Sequence, residues 1–204
     1  MGTVACQRFP TRTGGPRVYA YTSNSQNDTV SVIDVATLRV VAEVKVGRHP
    51  LGLAAHPSRP EVYVAVSGAD QVAVVDAHRQ EVVAQIPVGR GPFFVNFFPD
   101  GRQAFVLNAD SNSVTIIDCT RQWVEATITV EQTPGAARAS PDGRLLLVSS
   151  RTDSNVVLID RANLRIVARI PVAAEPTQIA ILPDSSKVFV AASGSGQVSA
   201  IDLK

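Results

Sequence analysis

The chain has 204 residues, with 19 Lys plus Arg against 18 Asp plus Glu and 45% hydrophobic residues. That composition excludes intrinsic disorder, and a formal net charge of +1 gives no electrostatic case for nucleic acid or an anionic membrane surface. Two cysteines, Cys6 and Cys119, and three histidines, His49, His56 and His78, are too few for a disulfide framework or for a metal centre built from these ligands.

Residues 1–17 lack the apolar run of an export signal, and Thr3 to Phe9 offers one strand. No stretch approaches the ~18 uninterrupted apolar residues of a membrane span. From residue 18 to residue 204 the chain repeats itself. Apolar residues closing on Asp recur as Val30-Ser-Val-Ile-Asp34, Val72-Ala-Val-Val-Asp76, Val114-Thr-Ile-Ile-Asp118, Val156-Val-Leu-Ile-Asp160 and Val198-Ser-Ala-Ile-Asp202. The prolines at 50, 92, 134 and 176, and again at 57, 99, 141 and 183, keep the same spacing of 42. The units lie near 34–75, 76–117, 118–159 and 160–201, with no insertion among them.

Each unit reads as short strands. Leu38 to Val46, Leu51 to Ala55, Val62 to Val66 and Val72 to Val75 are rich in Val and aliphatic residues and are bounded by Gly, Pro, Asp and Ser. Pro-Asp-Gly at 99–101 and 141–143 suits a tight turn, in which Pro presets φ and Gly accepts a positive one. No helical apolar period is present. Four strands per repeat predicts an all-β propeller of four-stranded blades, with four to five blades present. The WD40 period overlaps, but its Gly-His and Trp-Asp signatures are missing; the one tryptophan is Trp123.

The Val-Ser-Val-Ile-Asp segment at 30–34, the lines Val83 to Val88 and Val167 to Val172, and the Pro-Asp-Gly turns together resemble YVTN-type β-propeller repeats. The place of the name-giving tetrapeptide is held by Val62-Tyr63-Val64-Ala65, Ala104-Phe105-Val106-Leu107 and Val188-Phe189-Val190-Ala191. The resemblance implies a ring of about seven blades and export in prokaryotes. For some members it also implies hydrolysis of lactones. With strands labelled A to D from the channel outward, residues 18–204 supply B, C and D of a first blade, three whole blades, and A, B and C of a last one. Thr3 to Phe9 adds one strand, as the first blade's A or the last blade's D. The expectation is therefore an incomplete ring within a longer protein, with an export signal upstream. Its unpaired blade edges would expose apolar surface and invite association.

Loops joining D to the next A should ring one mouth of the channel: Gly47 to Pro50, Gly89 to Pro92, Glu131 to Pro134 and Ala173 to Pro176. Here the repeats vary while their framework stays constant, as at a grafted ligand site. Arg48, His49, Arg90 and Phe93 are the candidate ligand-binding residues. The two guanidiniums would form an anion-binding edge and Phe93, with Phe94, an apolar floor or an inter-blade wedge. A small anionic ligand or a protein partner fits such a mouth. Loops between B and C should reach the same face with Asn24, Asn27, Asp28, Asp70, Asn108, Asp110, Asn112, Asp153 and Asn155, either as ordinary hairpin residues or as oxygen ligands for Ca²⁺.

The periodic Asp residues open turns, where a carboxylate accepts backbone N–H groups. One per blade, they are too far apart to share an ion. His49, His56 and His78 occupy different repeat positions and assemble no nucleophile–His–carboxylate set. Cys6 and Cys119 read as inert thiols, and Trp123 as edge cover on an outer strand. No cofactor and no metal are expected. The leading functional expectation is a non-catalytic binding or interaction scaffold, and the alternative is a lactonase-like hydrolase acting at the channel mouth. A haem-binding domain has only His49 as a well-placed axial ligand.

Overall fold

The computed structural model describes residues 18–130 and 132–203, together with the main chain of 4–9 and 17. Among these described residues are 19 strands in five antiparallel sheets, in sequence order, each a meander. Blade 1 is β1 (Val4–Phe9), β2 (Arg17–Asn24), β3 (Thr29–Asp34) and β4 (Arg39–Lys45). Blade 2 is β5 (Pro50–Ala55), β6 (Glu61–Val66), β7 (Gln71–Asp76) and β8 (Glu81–Pro87). Blade 3 is β9 (Pro92–Phe97), β10 (Gln103–Asn108), β11 (Ser113–Asp118) and β12 (Trp123–Thr129). Blade 4 is β13 (Pro134–Ala139), β14 (Leu145–Ser150), β15 (Asn155–Asp160) and β16 (Arg165–Pro171). Blade 5 has three strands, β17 (Pro176–Ile181), β18 (Lys187–Ala192) and β19 (Gln197–Asp202).

The architecture is thus a propeller arc of five blades. The N-terminal strand β1 pairs with β2 throughout its length, so it serves as the inner strand of blade 1. One 3-10 turn, Ser67–Ala69, is the described helical segment, and no described helix is long and apolar enough to cross a membrane.

Alternation along the strands makes both faces of the middle blades apolar, and stacking buries them. Val62, Val64 and Val75 of blade 2 pack on Tyr21, Val30 and Val32 of blade 1. Tyr63, Val72 and Val74, from the other face of the same strands, pack on Val95, Val106 and Ile117 of blade 3. Val30, Val72, Val114 and Val156 share one repeat position and are all 0% exposed, whereas the fifth member, Val198 on the outer face of blade 5, is 65% exposed. Phe189 on that face is 38% exposed, against 0% for its counterpart Leu147. Each covered valine gains roughly 1.5–3 kcal/mol from burial.

The turns repeat as faithfully as the core. Positive φ recurs at Leu38, Gln80, Gln122 and Leu164 after each β-strand C, and at Asp28, Asp70, Asn112, Ser154 and Gly196 between B and C. The predicted Pro-Asp-Gly turns place Gly101 and Gly143 at φ 69 and 73. A bulge also recurs in the pairing of strands C and D, between Val32/Ile33, Val74/Val75, Ile116/Ile117 and Leu158/Ile159, and kinks each outer strand at one level.

Candidate functional site

The D–A and B–C loops meet on one rim. Gly68 N–H donates to Arg48 O at 3.0 Å and Ser67 N–H to His49 O at 3.1 Å, tying the first mouth loop to the B–C loop of its own blade. The same pairing joins Asp110 N–H to Arg90 O, Arg151 N–H to Thr133 O, and Gly194 N–H to Ala174 O. A second tie runs between blades. Asp28 Oδ1 accepts the His49 N–H at 3.0 Å, Asp70 Oδ1 accepts the Gly91 N–H at 2.9 Å, and Asn112 Oδ1 accepts the Thr133 N–H at 3.1 Å. These side chains hold mouth loops of the next blade. They supply the acceptors that the D–A loops, buried against neither strand ladder, would lack.

Latching holds His49, Gly91 and Thr133 in the left-handed region, with φ between 54 and 62, and Glu175 takes the same conformation at φ 56. For the three non-glycine residues this conformation costs of order 1 kcal/mol each, and at His49 and Thr133 the latch over-determines it. The strain sits at the mouth in every described repeat. Glu131, in the third mouth loop, lies outside the described residues.

The four candidate residues occupy this rim in different states. Arg48, His49 and Arg90 are exposed. Arg90 Nη2 donates to Asp110 O at 3.3 Å, which aims its guanidinium along the mouth. Phe93 is half-buried against the cluster of Phe98, Phe105 and Leu107, so it behaves as an inter-blade wedge with one exposed edge rather than as an open floor. Its main chain is pressed against blade 2: a Cβ on Gly52 would lie 2.5 Å from Phe93 O and 2.9 Å from Phe94 Cα. Only glycine permits that approach of the inner strands β5 and β9. Arg48 and His49 lie in one D–A loop and Arg90 in the next, on the same rim.

Elsewhere the predicted turn role of the periodic carboxylates holds. Asp34 Oδ1 accepts the Ala36 and Thr37 N–H groups, and Asp76 and Asp118 do the same two and three residues on. The Arg121 N–H foremost holds the Asp118 carboxyl below its ordinary range. His56 is 4% exposed; its Nδ1 accepts the Ser58 and Arg59 N–H groups, and its Nε2 meets Gly101 O of blade 3 at 2.8 Å. Burial, then the Arg59 charge, pushes the His56 pKa down. It is a neutral clamp between A–B turns, far from the mouth. Cys119 is buried, and burial pushes its thiol up to about 11, which makes it a poor nucleophile. The Cys6 side chain lies outside the described residues. Trp123 is 55% exposed under the Arg121 guanidinium, 5.3 Å from its ring centroid. Among the described residues no group of three or more His, Cys, Asp or Glu side chains is placed to hold a metal ion.

Reasoning from the sequence missed two features. The latch residues are legible as a half-repeat spacing of 21, 28 to 49, 70 to 91 and 112 to 133. A groove of about 590 Å³ on the opposite rim, between blades 3 and 4, is lined by residues that include Arg102, Gln103, Glu125, Arg144, Asp160 and Arg161. Its signal was a break in the repeat, since Arg161 stands where Ala77 and Cys119 stand in the preceding units.

A family model described as "Lactonase, 7-bladed beta-propeller" matches residues 13–204. Among solved structures, a chain of Kuenenia stuttgartiensis hydrazine synthase superposes with a TM-score of 0.76 at 28% identity, over 84% of this chain and 51% of that one. The present chain therefore spans about half the length of that relative. A putative 6-phosphogluconolactonase from Bacteroides uniformis superposes with a TM-score of 0.73 over 96% of this chain and 77% of that chain, and at 16% identity it shows the shared fold alone. No curated protein matches the chain. The expectation of a non-catalytic scaffold is corrected by the family match: the regular framework with variable mouth loops, which suggested a passive scaffold, is equally the framework of a hydrolase family, because catalytic sites are grafted on such loops without altering the repeat.

Proposed function

Since the chain belongs to the seven-bladed β-propeller lactonase family, we propose that it contributes to a lactonase-like hydrolase whose site is the rim carrying Arg48, His49, Arg90 and Phe93. The family match over residues 13–204 is the observation that carries this reading. The repeats within it are YVTN-type, on the tetrapeptide positions at 62–65, 104–107 and 188–191.

The chemistry asks little of the protein. Water adds to the lactone carbonyl carbon, the ring C–O bond breaks, and the water's proton passes through a base to the departing ring oxygen. His49 offers an imidazole for that relay. Arg48 and Arg90 offer fixed positive charge for the carboxylate that forms and for the oxyanion that precedes it. The exposed edge of Phe93 offers the ring carbons an apolar contact. Asp28 acts through His49, by holding its main chain.

A pH-stat assay with glucono-δ-lactone tests this. Turnover above the uncatalysed rate is expected, and a fall of about 10²-fold or more in His49→Ala. An uncatalysed rate in the presence of the native chain would refute the reading.

A further inference from the structure

The groove between blades 3 and 4 lies on the rim opposite the mouth and is built around one departure from the repeat. Positions 77 and 119 are small and fully packed, Ala77 2% and Cys119 0% exposed, but the same position in blade 4 is Arg161. Its side chain does not reach solvent freely; it is 19% exposed. Nη2 donates to both Asp100 oxygens at 2.9 Å, Nε donates to Gln103 Oε1 at 2.6 Å, and the guanidinium carbon lies 4.5 Å over the Phe98 ring. Blade 4 is thereby pinned to the A–B turn of blade 3, and Arg161 forms a rigid floor whose charge Asp100 already balances.

Two other guanidiniums are held in no such close pair, although each lies near a carboxylate, Arg102 near Asp100 and Arg144 near Asp142. Arg102 and Arg144 hold the same position in successive A–B turns, so one stands on each blade flanking the groove. Arg102 has a carboxylate oxygen only at 4.0 Å, and that oxygen belongs to Asp100, which Arg161 occupies. The Arg144 guanidinium makes no hydrogen bond or ion pair among the described residues; its main-chain N–H goes to Asp142. Acceptors face the same space. Glu125 spends Oε2 on Gln103 Nε2 and Asp160 spends Oδ1 on the Asn163 N–H, which leaves the second oxygen of each carboxylate open.

From this arrangement we infer a second ligand site, distinct from the mouth, for a small hydroxylated oxyanion. The oxyanion lies between Arg102 and Arg144, and the hydroxyl groups donate to the open oxygens of Glu125 and Asp160. A bare polyanion is disfavoured by the two carboxylates, and a neutral polyol forgoes charge-assisted hydrogen bonds to both guanidiniums. The groove, at about 590 Å³, has room for a molecule of monosaccharide size. Sugar acids and sugar phosphates share this chemistry.

Isothermal titration of the native chain with gluconate, glucose 6-phosphate and sorbitol tests the site. Saturable binding of gluconate or glucose 6-phosphate is expected, the tighter of the two naming the source of the oxyanion, with sorbitol at least about tenfold weaker. The double variant Arg102→Ala/Arg144→Ala should lose one saturable site, or about tenfold or more of its affinity, and that site should persist in Arg48→Ala/Arg90→Ala, which removes only the mouth's own hold on a carboxylate. All four side chains are exposed, so both variants are expected to fold, which matching circular dichroism spectra would verify. Native affinity in Arg102→Ala/Arg144→Ala, equal binding of sorbitol, or no saturable heat with either oxyanion would overturn the inference. None of these readouts depends on lactone turnover, so the mouth reading stands or falls separately.

Discussion

Asp28 offers the most informative perturbation of the mouth, because two effects meet there and can be separated. Its carboxylate accepts the His49 N–H at 3.0 Å, and its own backbone is left-handed, with φ 62. Asp28→Asn keeps an oxygen acceptor and a residue that tolerates this conformation; Asn112 already does the same work for Thr133 at 3.1 Å. Its unfolding free energy should stay within about 0.5 kcal/mol of native. Asp28→Gly removes the acceptor but suits the backbone, and should cost about 1 kcal/mol, the value of a hydrogen bond to a charged group discounted for its solvent exposure. Asp28→Ala removes the acceptor and adds about 1 kcal/mol of left-handed strain, for about 2 kcal/mol in all. For a chain of this size that is a drop in Tm of roughly 4–8 °C. Urea unfolding gives the free energies, and the lactone assay run on the same samples should show kcat/KM falling in the Gly and Ala variants and retained in the Asn variant. If Asp28→Asn is as damaging as Asp28→Ala, the carboxylate acts through charge and not as an acceptor. If Asp28→Ala is neutral, the latch is idle.

Two further outcomes follow from the same framework. Val156→Ala, at a position 0% exposed, should lower stability by about 2 kcal/mol, while Val198→Ala, the same repeat position but 65% exposed, should change it by less than about 0.5 kcal/mol in parallel urea melts. The His56 pKa is pushed down in the folded chain, so the unfolded chain takes up that proton first. The stability it contributes is full above about pH 6.5 and is lost as pH falls through the folded value. Tm measured from pH 7.5 to 5 should decline, and the decline should be shallower in His56→Gln; an unchanged slope would remove His56 as its cause.

Much of this was legible in the sequence because a propeller writes its geometry once per blade. The Asp at 34, 76, 118 and 160 announced their turns, and the Pro-Asp-Gly segments announced theirs. A spacing constant over four units also put Arg48 and Arg90 on one rim, where the paired D–A and B–C loops now place them. What the repeat could not convey was what a side chain that breaks it reaches. Arg161 stands in the turn beside Asp160, and only the packing shows it reaching Asp100, Gln103 and Phe98 of the neighbouring blade. Phe93 was equally ambiguous, since a half-buried aromatic reads alike whether it lines a channel or wedges two sheets apart. The scaffold expectation failed for a related reason: a mouth whose residues come from different blades displays no catalytic spacing along the chain.

The most direct measurement of where the lactone opens is a comparison of kcat/KM for glucono-δ-lactone in two double variants of the native chain. Arg48→Ala/Arg90→Ala strips the mouth, and Arg102→Ala/Arg144→Ala strips the opposite rim. A loss of about tenfold or more confined to the mouth variant, with native Tm in both, is the expected result. Native turnover in the mouth variant, or a loss confined to the opposite-rim variant, would contradict the assignment of the hydrolytic site to the D–A loops.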